Sequence, residues 1–108
     1  MRVAALVVLA LVLGPTALAA EPPVIDIVIK DHRFTPAEIH VPAGQVVILR
    51  IRNDDATAEE FDSAPLKTEK VVAGGYTASV RLRPLAPGRY AFMGEYHPET
   101  AQGVVISE

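Results

Sequence analysis

Two short segments of the chain concentrate the side chains that can bind a metal ion. The downstream segment holds Glu95, His97 and Glu99 at alternate positions. In an extended backbone such residues point to one side, although Pro98 bends the path between the last two. A carboxylate, an imidazole and a second carboxylate on one short loop form half of a metal site. Ordinary solvated loop charge is the alternative interpretation.

The upstream segment brings three acids, Glu59, Glu60 and Asp62, within four positions. Adjacent carboxylates repel one another, and a shared cation offsets that repulsion. Solvated charge is again the alternative, because charged clusters on loops are common. His32 is a further candidate, provided that the first strand runs beside the downstream loop. The alternative for His32 is an exposed histidine in a bend.

The elements that position these residues are short strands separated by turns. Alternating and β-branched runs predict strands over residues 24–29, 38–41, 45–52, 76–83, 90–93 and 104–106. Short strands at this spacing are typical of an all-β sandwich. The stretches 53–70 and 94–103 are predicted to be loops, and only residues 59–72 have a weak pattern for a helical turn.

The overall composition excludes several classes of function. The chain of 108 residues has no cysteine, so it has no disulfide, thiolate metal ligand or thiol nucleophile. Its 13 acidic residues outnumber the 10 basic ones, and the formal net charge is −3. This balance argues against a nucleic-acid partner, which would require a basic face.

The first twenty residues have the pattern of a secretory signal. Arg2 precedes an apolar run, Gly14-Pro15 interrupts it, and small residues follow up to Ala19. The run is short for a bilayer span, and an uncleaved membrane anchor is the alternative. We therefore expect a signal peptide over residues 1–19 and a single domain over residues 20–108.

Longer tracts of the chain resemble the cupredoxins. The pattern Tyr90-x-Phe92-x-Gly94-x-x-His97, followed by a glycine and a terminal Val/Ile strand, is similar to their copper loop. The opening tract 34–44 also fits. The chain is most similar to cupredoxin-like periplasmic proteins of bacterial ferrous-iron uptake, which work with an iron permease. The tracts that carry this closer resemblance are 59–63, 69–72 and 94–97. It implies a Greek-key β-sandwich in the periplasm.

The departures from the blue-copper pattern are as informative as the matches. Gly94 stands where a blue-copper protein has its cysteine, and Ala101 or Gln102 stands in place of the methionine. Two glutamates, 59 and 60, replace the upstream histidine, so that only His97 remains. A type 1 blue-copper centre requires the cysteine sulfur, and this chain therefore cannot build one.

The resemblance also implies a replacement ligand set. Glu60 falls at the upstream ligand position, with Glu59 as the near alternative, and Glu95 and His97 come from the downstream loop. Asp62 and Glu99 are expected as neighbours or further ligands, and His32 is the remaining candidate. One imidazole with two carboxylates suits Fe(II), Fe(III), Mn(II) or Cu(II). Carboxylates favour Fe(III), so that bound Fe(II) is oxidised more easily.

The expected function is to bind an iron or copper ion, or to oxidise iron, beside an inner-membrane iron permease and other uptake components. Oxidation at a mononuclear site needs an external electron acceptor, so enzymatic activity is left open. Two alternatives remain. One is a non-catalytic interaction module that has lost metal binding, and the other is a copper carrier, which the absence of cysteine and of a Met-rich tract weakens.

Overall fold

The computed structural model describes residues 2–14 and 20–108, and within these residues it is built from strands and turns. The strands are β1 (Val24–Lys30), β2 (Arg33–Thr35), β3 (Glu38–Val41), β4 (Val47–Asn53), β5 (Glu59–Ser63), β6 (Thr68–Val72), β7 (Thr77–Leu82), β8 (Gly88–Gly94) and β9 (Gln102–Ser107). In the described part of the chain, no helix is long and apolar enough to cross a membrane.

The strands form two sheets that pack face to face. The first sheet has the order β2-β1-β4-β7, and the second has the order β3-β9-β8-β5-β6. The β1–β4 and β3–β9 pairs are parallel, and the other pairs are antiparallel. The predicted all-β sandwich is thus confirmed.

Alternating apolar residues from both sheets fill the core. Ile27, Ile29, Leu49 and Ile51 of the first sheet are fully buried, as is Phe61 of the second. Each such side chain contributes roughly 1.5–3 kcal/mol through burial.

An aromatic cluster in the core joins Phe34 of the first sheet to Phe61 and Phe92 of the second. The ring of Phe92 lies 5.0 Å from that of Phe34 and 4.9 Å from that of Phe61, centroid to centroid. Glu59 precedes Phe61 by two residues on β5, and Gly94 follows Phe92 by two residues on β8. Since alternate strand residues share a face, Glu59 and Gly94 lie on the same face of the sheet as these two rings.

The segment 59–72 differs from its prediction. It is neither a loop nor a helical turn but the β5–β6 hairpin, in which Glu59 pairs with Val72 and Ser63 with Thr68. Pairing with β8 and burial of Phe61 decide this, and neither is visible locally in an acidic sequence. As a consequence, Glu59 and its neighbour Glu60 point to opposite faces of the sheet.

The N-terminal residues 2–14 have no regular secondary structure. Their valine and leucine side chains are 75–92% exposed. The predicted cleavage point after Ala19 falls within residues 15–19, outside the described residues.

Candidate metal centre

Three donor side chains from three distant parts of the chain meet at one end of the sandwich. His32 comes from the turn between β1 and β2, Glu59 from the start of β5, and His97 from the turn after β8. One donor atom from each of these residues lies within 4.8 Å of the others. The structure therefore brings together an imidazole–carboxylate–imidazole group.

The centre of this group is a short hydrogen bond between Glu59 and His97. The His97 Nδ1 atom lies 2.5 Å from Glu59 Oε2, and the Glu59 side chain is only 1% exposed. The other carboxylate oxygen, Oε1, accepts hydrogen bonds from the backbone N–H groups of Glu60 at 3.1 Å and Tyr96 at 2.9 Å. This hydrogen bond requires one proton, donated by one of the two atoms to the other. A metal ion bound to both atoms would take the place of that proton.

Gly94 makes room for the buried carboxylate. It lies on β8, opposite Phe61 of β5. A Cβ atom added to Gly94 would lie 2.6 Å from Glu59 Cδ and 2.6 Å from the Cβ of Ala101. The Glu59 carboxylate therefore packs against the position at which the resemblance places the blue-copper cysteine. A side chain at residue 94 and the present position of Glu59 exclude each other.

His32 is held in place by its backbone. Asp31 and His32 form a two-residue turn with φ values of 51° and 56°, in the left-handed region that few residues other than glycine adopt. The Asp55 carboxylate accepts hydrogen bonds from both N–H groups, at 2.8 and 2.9 Å. The bond from the His32 N–H is the main reason why the pKa of Asp55 is lowered. Thr100 donates its hydroxyl to the His32 carbonyl at 2.6 Å.

The two imidazoles are stacked, with ring centroids 3.5 Å apart and planes only 10° from parallel. Donor lone pairs lie in the ring plane, so two parallel rings cannot both point at one ion. Glu59 and His97 thus form the pair that is already aligned. His32, whose side chain is 41% exposed, must rotate about its side-chain bonds to become a third ligand.

Asn53 is a residue of the site that the sequence analysis did not identify. It is fully buried, and its Nδ2 atom donates to the carbonyls of Thr57 and Val72. Its Oδ1 atom accepts from the N–H of Asp55 at 3.0 Å. Asn53 therefore shapes the loop that presents Asp55 to His32. Asparagine at the end of a strand is a typical Asx-turn residue, whose side chain accepts from the backbone N–H two residues further on, and this signal could have revealed it.

The structure does not bring Glu60 and Glu95 to this group. Glu60 lies on the opposite face of β5. Residues 95–100 form turns rather than extended backbone, beginning with the His97 N–H to Gly94 carbonyl bond at 3.1 Å. Glu95 lies beside Asp62, whereas His97 contacts Glu59. The extended interpretation of this segment was wrong.

The four candidate acids outside the group have surroundings of their own. Glu95 lies beside Asp62, and the hydrogen bond and charge repulsion between them raise the pKa of Glu95, with smaller effects from Glu60 and Glu69. Glu99 is exposed on the downstream turn. Metal binding by Glu60, Asp62, Glu95 or Glu99 stays a prediction.

Comparison with known proteins places the fold in context. A family model described as a cupredoxin-like domain matches residues 2–107. An uncharacterised protein of Rickettsia prowazekii (strain Madrid E) is 43% identical over 82 residues, which are 76% of this chain and 66% of that protein. The chain thus spans about two thirds of the length of this curated relative.

Solved structures with the same fold include copper proteins. Auracyanin A, a blue copper protein of Chloroflexus aurantiacus, superposes with a TM-score of 0.69 at 20% identity, over 82% of this chain and all of that chain. A reduced amicyanin mutant gives a TM-score of 0.63 at 21% identity, over 83% of this chain and 86% of that one. The agreement of fold and family match leads to one conclusion: the chain belongs to the cupredoxin-like domain family.

Proposed function

We propose that this protein binds a single transition-metal ion through Glu59 and His97, with His32 as a third ligand. The observation that supports this most is the buried carboxylate, 1% exposed, aligned with His97 Nδ1 at 2.5 Å. Burying an ionised carboxylate is costly unless a proton or a cation compensates its charge. A divalent ion bound between Glu59 and His97 provides that compensation and displaces the shared proton.

The donor set favours some metals over others. Nitrogen and carboxylate oxygen suit Fe(II), Fe(III), Mn(II) and Cu(II), and the group contains none of the sulfur ligands that select Cu(I). The anionic carboxylate stabilises Fe(III) relative to Fe(II). Oxidation of bound Fe(II) would transfer one electron to an external acceptor, and the ion would leave as Fe(III). The His97 site, rather than the surface acids Glu60 and Glu95, is where we expect this ion.

The proposed setting is the periplasm, reached by means of the N-terminal segment, beside an inner-membrane iron permease and other uptake components. The similarity of the acidic tracts to proteins of ferrous-iron uptake supports this setting. The high exposure of the apolar side chains in residues 2–14 also supports it, because such a segment is suited to a membrane or to removal rather than to water.

Titration of two matched variants tests the site. Glu59→Gln keeps the size of the side chain and its ability to accept from Tyr96 N–H, but it removes the negative charge. We expect it to weaken binding of Mn(II), and of Fe(II) under anaerobic conditions, by at least about 100-fold. Glu60→Gln, its neighbour on the outer face, should change affinity less than about threefold. Equal effects of the two substitutions, or none from Glu59→Gln, would contradict the proposal.

A metal-free interaction module is the second candidate, and one observation favours it. Both oxygens of Glu59 already have hydrogen-bond partners, and within residues 2–14 and 20–108 no buried side-chain nitrogen or oxygen lacks one. The pair is therefore satisfied without an ion. Calorimetric titration of the unaltered protein decides between the two: if Mn(II), Fe(II), Cu(II) and Zn(II) all fail to bind, the module replaces the metal-site proposal. Preference for Cu(I) would instead indicate a copper carrier.

A further inference from the structure

We infer that Gly94 determines the chemistry of the donor beside His97: because residue 94 has no side chain, a carboxylate rather than a group from β8 lies there. This inference rests on the proposed function and adds the class of metal, namely ions that prefer oxygen and nitrogen ligands. Among the described residues, Gly94 is the one whose missing side chain would lie against the buried carboxylate.

Space, and not backbone conformation, is what requires glycine at this position. Gly94 does not have the positive φ found at Gly44, Gly75 and Gly88, so its backbone is open to other residues. An added Cβ would instead lie 2.6 Å from Glu59 Cδ and 2.8 Å from Glu59 Oε1. Real Cβ atoms do not approach other atoms so closely, and the carboxylate would have to leave its position.

The direction of a Cβ atom at residue 94 indicates which group would replace the carboxylate. A Cβ at residue 94 points into the volume that Glu59 now fills, next to the Nδ1 atom of His97. A longer side chain at residue 94 would therefore place its own end group near that nitrogen atom. The two positions thus form an exclusive pair, in which either Glu59 or residue 94 supplies the second donor. With Gly94 present, the donor is a hard oxygen, which selects Mn(II) and iron over Cu(I).

Ala101 must be included in the test, because its Cβ is also 2.6 Å from the added atom. All variants therefore carry Ala101→Gly, and their melting temperatures are measured with a chelator present. We expect Gly94→Ala to lower the melting temperature by on the order of 10 °C. In a protein that also carries Glu59→Ala, the loss caused by Gly94→Ala should be at most about half as large, because the atom that collides with the new Cβ is then gone.

Gly103 supplies the matched control. A Cβ there would meet the Phe92 ring and the Ala37 carbonyl, away from Glu59. The loss caused by Gly103→Ala should be the same with and without Glu59. If the loss caused by Gly94→Ala is equally insensitive to Glu59, the exclusive pair does not exist and the inference falls. This arm needs no metal, so it stands even if the unaltered protein binds none.

A second arm tests the donor itself. The triple variant Glu59→Ala, Gly94→Cys, Ala101→Gly is titrated with Cu(II) and Mn(II). We expect a strong visible absorption from a thiolate–Cu(II) bond, and Mn(II) affinity at least about 100-fold below that of the Ala101→Gly protein. Retained Mn(II) binding without the absorption would overturn the inference. A different result would separate the two claims: the Ala101→Gly and unaltered proteins bind no Mn(II), but the triple variant shows the absorption. This result would support the inference about Gly94 and refute the proposed function.

Discussion

Two histidine–glutamate pairs in this protein have nearly the same length and should differ greatly in their contribution to stability. His97 Nδ1 lies 2.5 Å from Glu59, and His40 Nδ1 lies 2.6 Å from Glu108. The side chains of the first pair are 28% and 1% exposed, whereas those of the second are 55% and 67% exposed. His97→Ala and its matched control, His40→Ala, each remove the histidine of one pair.

The free-energy cost of each substitution depends on the carboxylate that it leaves without its histidine. His97→Ala leaves the Glu59 carboxylate buried with only two backbone N–H donors. Removal of one partner of a fully buried pair costs about 3–5 kcal/mol. Since His97 is partly exposed and water can enter the space it leaves, we expect about 2–3 kcal/mol. His40→Ala leaves a solvated carboxylate, so its cost should be below about 1 kcal/mol.

The assay is urea unfolding at neutral pH with a chelator present, followed by circular dichroism. The loss for His97→Ala should correspond to a melting temperature lower by roughly 10–20 °C. Adding Glu59→Gln to His97→Ala should restore part of the loss, because it removes the charge that has no partner. If the losses for His97→Ala and His40→Ala agree within about 0.5 kcal/mol, burial of the Glu59 carboxylate is not the cause. A further loss of stability on adding Glu59→Gln would also exclude this cause.

Three further predictions concern the β1–β2 turn, the Glu95–Asp62 pair and the N-terminus. Asp55→Ala should destabilise the metal-free protein by about 1–2 kcal/mol in urea unfolding, because it removes the acceptor for two backbone N–H groups of the β1–β2 turn. The control is Asp54→Ala, which removes a neighbouring exposed pair with Arg52. An equal loss from both substitutions would contradict the role of Asp55 in the turn. Glu95→Gln should raise the melting temperature at neutral pH, because the pKa of Glu95 in the folded protein is raised by Asp62 and other acids. The stability of the unaltered protein therefore falls as the pH rises from the pKa of Glu95 in the unfolded chain through its raised pKa in the folded protein. The gain should disappear below the pKa in the unfolded chain, and a gain that persists in acid would exclude this cause. Finally, mass spectrometry of exported protein should find an N-terminus at Ala20 or Glu21, whereas intact Met1 in a membrane fraction would indicate an anchor.

The fold could be predicted from the sequence because its information is local. Runs such as residues 47–52 alternate between buried apolar and exposed charged positions, and the structure keeps this alternation along β4. The acidic segment 59–63 could not be predicted in this way. Its buried residues are a glutamate, a phenylalanine and a serine, and only the partner strands β6 and β8 make a strand of it.

The candidate site could be predicted only in part, and the residues show why. The types present at 59–62 and 95–99 indicated metal-binding chemistry, and His97 and Glu59 were among the candidates. Glu60 was expected as the principal upstream ligand because it falls at the upstream ligand position of the cupredoxin pattern. In the structure, the alternation of side chains along β5 makes Glu59, and not Glu60, face inward. Likewise, the turn at residues 95–100 separates Glu95 from His97.

An all-β domain without thiolate chemistry could be read from the residues alone, because composition and short-range alternation do not depend on how the chain folds. The pairing of one particular acid with one particular histidine depends on the folded chain. His32 and Glu59 are 27 positions apart, and Glu59 and His97 are 38 apart. Their contact depends on strand register, on a left-handed turn fixed by Asp55, and on the space left at Gly94. These are long-range constraints, and no local pattern of residues records them.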